Sequence, residues 1–513
     1  MTRLPEGDTK AIWLLIATFL VAVSSLIYEL IAATLSSYLL GDSVRQFSFV
    51  IGVFLSSMGV GAWLSRFVGD ATRGFVWVQV GIGVIGGMLA PLLYFVYAFM
   101  GDIGILLYGI LGTIGVLSGM EIPLIARLLK EIGAAEFRFE NVLSVDYVGA
   151  LVASLAFPLL IIPHLGLMSA GLAFGCLNLA VAGLSIWIFR DKIDLVLRVV
   201  WAAAFAASLL GLATTERMVS VVDAAMFEDD VILNETTPYQ KINVTQFRDR
   251  TRLFLDHSIQ FDTLDEHRYH ETLVHPAMSI IPRARNILIL GGGDGMAARE
   301  VLKHADVEKI TLVDLDPRVT ELFREHPQLK VLNSGSLNDP RVEIIAQDAW
   351  RFIEADTTVY DAIIIDLPDP KSIALSKLYS SEFYAFLMER LSPYGALVTQ
   401  SGSPLFARDA FWSVVETLEM TRNPSDFQTP LTVIPYHVYV PSFGDWGFSL
   451  VLPQGRIDRS IKFPLQLKFM TENVWESAQV FAADVDRTDV EPNSIKTHKL
   501  VNYYQDGWDY WFK

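Results

Sequence analysis

The chain has 513 residues, 52% of them hydrophobic and only 19% charged, with a formal net charge of −17. That length calls for two or more domains. The acidity argues against nucleic acid as a partner, because a phosphate-tracking surface must be basic. A single cysteine, Cys176, excludes both an intrachain disulfide framework and a multi-cysteine metal site.

The apolar excess lies almost entirely before residue 215. Runs near 11–33, 46–66, 75–98, 103–125, 147–163, 169–189 and 198–214 approach the roughly 20 residues a membrane span needs. They predict a transmembrane domain of about seven helices over 1–215, with recurrent glycines (Gly81, Gly83, Gly86, Gly87) for close helix packing. Glu29, Glu121, Asp146 and His164 sit in or near these runs, where an ionisable group is costly and either paired or functional. Arg127 is the nearest base after Glu121 but falls off its helix face. Lys and Arg gather at the N-terminus and in the second, fourth and sixth loops, which places the N-terminus in the cytoplasm. Seven crossings would then export the C-terminal half. The short, Ala-rich seventh run is therefore expected to lie in the interface or re-enter, which keeps the C-terminal half cytoplasmic.

Short alternating segments follow at Asp230–Asn234, Lys241–Phe247 and Leu253–Asp256, predicting a β-hairpin subdomain over 225–275. Residues 276–455 then alternate strands (Asn286–Leu290, Lys309–Asp316, Val342–Asp348, Tyr360–Asp366, Ala396–Gln400) with helices (Met296–His304, Pro317–Glu325, Ala349–Glu354, Ser381–Leu391). This is the pattern of a Rossmann-like α/β domain with a parallel sheet covered on both faces. Residues 456–513 form an extension whose aromatic run, Tyr503 to Trp511, is expected to pack on the domain.

Four motifs end successive strands, where such sheets bind ligands. The first is Gly291-Gly292-Gly293-Asp294-Gly295. Its glycines let backbone approach a ligand, while its acid disfavours pyrophosphate and suits a cationic ligand such as a sulfonium. Asp314 ends the second strand at the position that accepts ribose hydroxyls, and Asp316 before Pro317 reads as a helix N-cap. Asp348-Ala349 ends the third, where Asp348 could accept from an adenine amino group or simply cap a helix. Asp366 and Asp369 flank Leu367-Pro368 after the fourth. Two carboxylates on a proline-stiffened loop make a cation cradle, and one of them is a candidate general base toward an ammonium. No His lies near enough in sequence to complete a metal site. A fifth stretch, Asp265-Glu266-His267-Arg268-Tyr269-His270-Glu271, taken by itself reads as a solvated helix start.

Together with Tyr239-Gln240 and Leu255-Asp256…Ile259-Gln260, these motifs resemble the spermidine synthase family of polyamine aminopropyltransferases over about residues 230–455. The spans are similar to those of its membrane-anchored bacterial branch. The resemblance implies an S-adenosylmethionine-dependent-methyltransferase-like fold and no tightly bound cofactor. It implies decarboxylated S-adenosylmethionine as co-substrate and putrescine or a related amine as acceptor. By resemblance, Gln240, Gly291, Gly293 and Asp294 face the donor. Asp314 takes the ribose, Asp348 and Ala349 the adenine, and Asp366 the proton, while Tyr269, His270 and Asp369 line the polyamine channel. Members often form homo-oligomers, which leaves that state open here. Three departures fall on the acceptor side: Leu367-Pro368 in place of two serines, Lys371-Ser372-Ile373-Ala374 in place of Gly-Pro-Ala-Glu, and no clear tyrosine match before Pro441-Ser442-Phe443. Methyl transfer, cleavage of the donor to methylthioadenosine, and a binding-only polyamine transporter or sensor stand as alternatives.

Overall fold

A computed structural model describes residues 6–40, 43–100, 103–132, 139–227, 229–422, 430–453 and 460–512. The chain divides into two compact units, Met1–Asp230 and Val231–Lys513.

Most described residues of the first unit are helical. Among the described residues, six helical segments are long and apolar enough to cross a membrane: Lys10–Ser37, Arg45–Phe67, Ala71–Phe99, Gly104–Glu131, Glu140–Ile188 and Leu195–Ala213. A continuous helix of 49 residues would be about 74 Å long, more than twice a hydrocarbon core. Glu140–Ile188 is instead broken at Gly166, whose φ of 68° and ψ of 173° only glycine adopts readily. The fifth and sixth predicted runs lie on either side of that break. The seventh run is one helix of 19 residues, Leu195–Ala213, started by an Asp194 cap on the Leu197 amide.

Glycines set the packing where they were expected to. A Cβ on Gly175 would stand 2.6 Å from the Gly83 carbonyl oxygen, and one on Gly86 would stand 2.7 Å from the Tyr28 ring. Such backbone-level approach is how apolar helices associate where lipid removes the hydrophobic drive. Arg127 donates to the Ser65 and Gly69 carbonyls rather than pairing with Glu121. Lys192 reaches Glu131, and Arg73 donates to the Lys192 carbonyl. The base-rich second, fourth and sixth loops thus share one end of the bundle.

The second unit holds two sheets. Strands β1 (Asp230–Thr236), β2 (Lys241–Phe247), β3 (Arg250–Leu255) and β4 (Ser258–Asp262) form a four-stranded meander. The larger sheet contains β5 (Asn286–Gly291), β6 (Lys309–Asp314), β7 (Val342–Ala346), β8 (Tyr360–Asp366), β9 (Leu391–Gly402), β10 (Thr432–Val440) and β11 (Gly444–Leu452). Its order is β10-β11-β9-β8-β5-β6-β7. Strands β5 to β9 are parallel, whereas β11 pairs antiparallel with both β9 and β10. The sheet is therefore mixed, not the all-parallel sheet the sequence predicts. Its edge hairpin escaped notice because the only alternating run there is short and interrupted by Pro435. From β5 the chain moves outward through β6 and β7, then returns to the other side of β5 with β8. The switch point is the crevice at the carboxyl ends of β5 and β8.

The helix Glu266–Ile280 joins the two sheets, and the predicted boundary at 275/276 falls inside it. Ile242, Val244, Leu253 and Phe261 of the meander share one core with Leu273 and Val274 of this helix and Ile287, Ile289 and Ile364 of the large sheet. The extension adds the helix Lys499–Phe512, with Leu500 and Tyr504 buried against the other face of that sheet.

Candidate active site

The site grows from the register of β5 and β8, which sets Gly291 opposite Asp366. Gly291 has a φ of 82°, and a Cβ there would meet the Asp366 carbonyl oxygen at 2.0 Å. Only glycine permits this contact. The loop is then tied from the neighbouring strand. Asp314 accepts from the Gly293 amide at 3.0 Å and from the Asp316 amide at 2.9 Å. Burial pushes the Asp314 carboxyl up to about 6, against those two amide bonds. Asp294 accepts from the Met296 amide, closing the turn into the helix Met296–Leu302.

Asp316 caps the helix Pro317–Glu325 as its sequence predicts, accepting from the Arg318 amide. Its second oxygen does more: it accepts from Thr237 at 2.7 Å and from the Gln240 amide side chain at 3.0 Å. The meander's Gln240 is thereby fixed against the large sheet. Asp348 is also a helix cap, on the Arg351 amide, and Lys377 lies 3.2 Å from its other oxygen. Ala349 follows it, buried.

Asp366 ends β8 and accepts from the Tyr269 hydroxyl at 2.7 Å. Burial pushes its carboxyl up to about 6; His270 lowers it, Asp294 raises it and the Tyr269 bond lowers it. Tyr269 is clamped edge-on between the Phe443 and His270 rings and lies within electrostatic reach of Asp369 as well as Asp366. The two carboxylates are thus gathered at one site. His270 is 2% exposed, with Nδ1 against the Glu266 carbonyl and carboxylate, each at 2.9 Å. Burial opposes its charge, yet the Glu266 carboxylate, with Asp294 and Asp366 beyond, pushes it up to about 9. Glu266 is in turn held by Arg299 at 2.7 Å. The stretch around Tyr269 is therefore buried, not the solvated helix start it reads as in isolation. Glu271, 1% exposed, accepts three amides from Lys468, Phe469 and Met470.

Asp369 is held by two groups the sequence did not flag. Gln400 donates to its Oδ1 at 3.4 Å, and Tyr504 from the extension donates to its Oδ2 at 2.9 Å. Tyr379 completes the loop, donating to the Leu367 carbonyl and accepting from Gln400. Gln400 was legible as the end of a strand; Tyr504 lay in the aromatic run taken only as packing. Asp369 faces a cavity of about 550 Å³ walled by Phe406, Phe443, Trp446, Tyr504 and Trp508. Lys371, which replaces a family glycine, turns to the Ser258 hydroxyl at the rim. A cavity of about 650 Å³ elsewhere borders the Glu266–Arg299 pair and Glu300, whose carboxylates are already engaged.

The Spermine/spermidine synthase domain family matches residues 266–461. The polyamine aminopropyltransferase of Leptospira interrogans is 41% identical over 97% of this chain and 98% of its own. Polyamine aminopropyltransferase 2 of Ralstonia nicotianae is 40% identical over 96% and 98%. This chain belongs to the polyamine aminopropyltransferase family. The enzyme of Oceanobacillus iheyensis is 38% identical over 96% of both chains, so the relatives are alike in length as well as sequence. A solved spermidine synthase in complex with the transition-state analogue AdoDATO covers 49% of this chain and 86% of its own at 26% identity and a TM-score of 0.44. Family membership makes the chain a transferase, and it sets aside the transporter, methyltransferase and lyase alternatives.

Proposed function

We propose that the chain moves an aminopropyl group from decarboxylated S-adenosylmethionine to putrescine or a related amine. The observation that carries this reading is Asp366: a buried carboxylate at the switch point, opposite the glycine loop and bonded by the Tyr269 hydroxyl at 2.7 Å.

The donor lies along the carboxyl ends of β5 to β7. Gly291 and Gly293 leave room for it, and Gln240 and Asp294 face its charged end. Asp314 takes the ribose hydroxyls with its remaining lone pairs, and Asp348 with Ala349 takes the adenine. The amine enters past the aromatic cavity, its far end near Asp369 and its reacting end beside Tyr269. Asp366 accepts a proton from the ammonium, and the freed nitrogen attacks the methylene next to sulfur. The carbon–sulfur bond breaks with its electron pair going to sulfur, and methylthioadenosine departs as a neutral thioether. No acid is needed for departure, so the protein's work is positioning and proton removal. His270 serves by charge: its cation beside Asp366 favours the ionised base.

The test is methylthioadenosine release by the purified full chain, with and without putrescine. Amine-dependent release that Asp366→Asn reduces by about 10²–10⁴-fold is expected. Full release without any amine would replace transfer by cleavage.

The helical unit is proposed to be a multi-pass membrane domain, with the catalytic half on the cytoplasmic side where nucleotide donors are made. Its base-rich end supports that orientation for the loops. Protease applied to inverted vesicles should then digest the catalytic half; digestion only from outside intact cells would reverse the assignment.

A further inference from the structure

The helical unit encloses a polar cluster that the transferase chemistry does not use. Glu121, on the helix Gly104–Glu131, is 4% exposed. Its Oε1 accepts from Gln79 at 2.7 Å and its Oε2 from Ser25 at 3.4 Å, with Ser118 3.0 Å from Ser25. Tyr28 lies within electrostatic reach of Glu121 and accepts from the Asn178 side-chain amide at 3.4 Å. Gln79, Tyr28 and Asn178 are each 0% exposed. Gly83 abuts Gly175 while Gly87 abuts Gly171, so these two helices run antiparallel.

Two features separate this cluster from ordinary helix glue. The carboxylate meets only neutral donors, and the nearest base in sequence, Arg127, is spent on the Ser65 and Gly69 carbonyls. The Gln79 Oε1 and Asn178 Oδ1 oxygens are buried without a hydrogen-bond partner among the described residues. Buried polar atoms are normally satisfied, so two unmet acceptors beside a buried acid whose described hydrogen-bond partners are all neutral mark a place built for something that only donates.

We propose that this cluster is an intramembrane binding site for the primary ammonium group of an amine. An ammonium has three N–H donors and no acceptor. The Glu121 carboxylate, Gln79 Oε1 and Asn178 Oδ1 supply three acceptors and the balancing charge. The three acceptors are all oxygen, and no group of three His, Cys, Asp or Glu side chains that could hold a metal lies among the described residues, which suits an ammonium better than a transition metal. Enclosure by four helices, away from the lipid-facing surface, fits a soluble diamine or polyamine rather than a lipid headgroup. The site rests on the helical unit spanning a membrane and not on the transferase reading.

The test is equilibrium binding of labelled putrescine to the full chain in nanodiscs, with no donor present. Wild type should bind putrescine at one site more than Glu121→Gln. Asn178→Leu, which removes one acceptor and keeps the volume, should weaken that site about tenfold, the loss of about 1.4 kcal/mol. It carries the test if Glu121→Gln is not monodisperse. Asp369→Asn should lose the other, catalytic-site population, so failure of the active-site reading and failure of this one appear in different variants. Equal putrescine stoichiometry in wild type and Glu121→Gln, or Asn178→Leu binding at wild-type strength, would overturn the proposal.

Discussion

Removing the Tyr269 hydroxyl tests the assignment of Asp366 most directly. In Tyr269→Phe the ring keeps its packing against Phe443 and His270, and only the 2.7 Å donation to Asp366 goes. A hydrogen bond to a charged group contributes about 1.5–3 kcal/mol. At about 1.36 kcal/mol per pH unit, its loss raises the carboxyl by about one to two units. The wild-type carboxyl titrates at about 6 and must be ionised to accept a proton, so kcat/KM should fall as pH drops through 6. In the variant the acid limb should move to about 7–8. At pH 7 the ionised fraction then falls from about nine-tenths to between about one-half and one-tenth, a loss of about two- to tenfold that closes by pH 9. Methylthioadenosine release across pH 5.5–9.5 at saturating donor measures it. An unmoved acid limb, or a deficit constant across pH, would show that Tyr269 does not act through Asp366.

Other consequences are equally direct. Tyr504→Phe should raise the KM for amine by about tenfold and leave the KM for donor unchanged, because it strips one bond from Asp369 and touches nothing in the glycine loop. Gly293→Ala should do the reverse, since its Cβ would lie 2.6 Å from the Asp314 carboxylate; overpacking of about 1–3 kcal/mol should appear in the KM for donor. The raised His270 value makes a stability prediction. Its folded pKa of about 9 exceeds the unfolded value, so its contribution is full below about 6.5 and is lost as pH rises through 9. The melting-temperature advantage of wild type over His270→Gln should therefore shrink between pH 6.5 and 10, and a constant difference would contradict the Glu266 pairing.

Much of the catalytic half was legible because its signals are local. Tyr360–Asp366 and Pro317–Glu325 match their predicted bounds, the first as a β-branched run ended by an acid, the second because Asp-Pro marks a cap and first turn. What was not legible is pairing at a distance. Nothing in the spacing of Glu266 and Arg299, or of Asp369 and Tyr504, says that they meet. The buried helix start around Tyr269 looked solvated because its polar residues find their partners in segments far along the chain. The strand β4 lies beyond the three alternating segments, set off from β3 by a left-handed pair, Asp256 and His257. In the helical half, composition gave the apolar runs and the gap between the fifth and sixth, and the backbone places that break at Gly166.

The bond from Tyr504 to Asp369 joins a residue outside the matched domain segment to one within it. The proposed donor cradle uses only residues before 350, whereas one wall of the proposed amine cavity comes from the last helix. Substitutions in that helix can therefore retune which amine is accepted without disturbing how the nucleoside is held. The two specificities of this enzyme are separable units of change, and exchange of the extension between relatives is the natural way to graft one amine preference onto another's donor site.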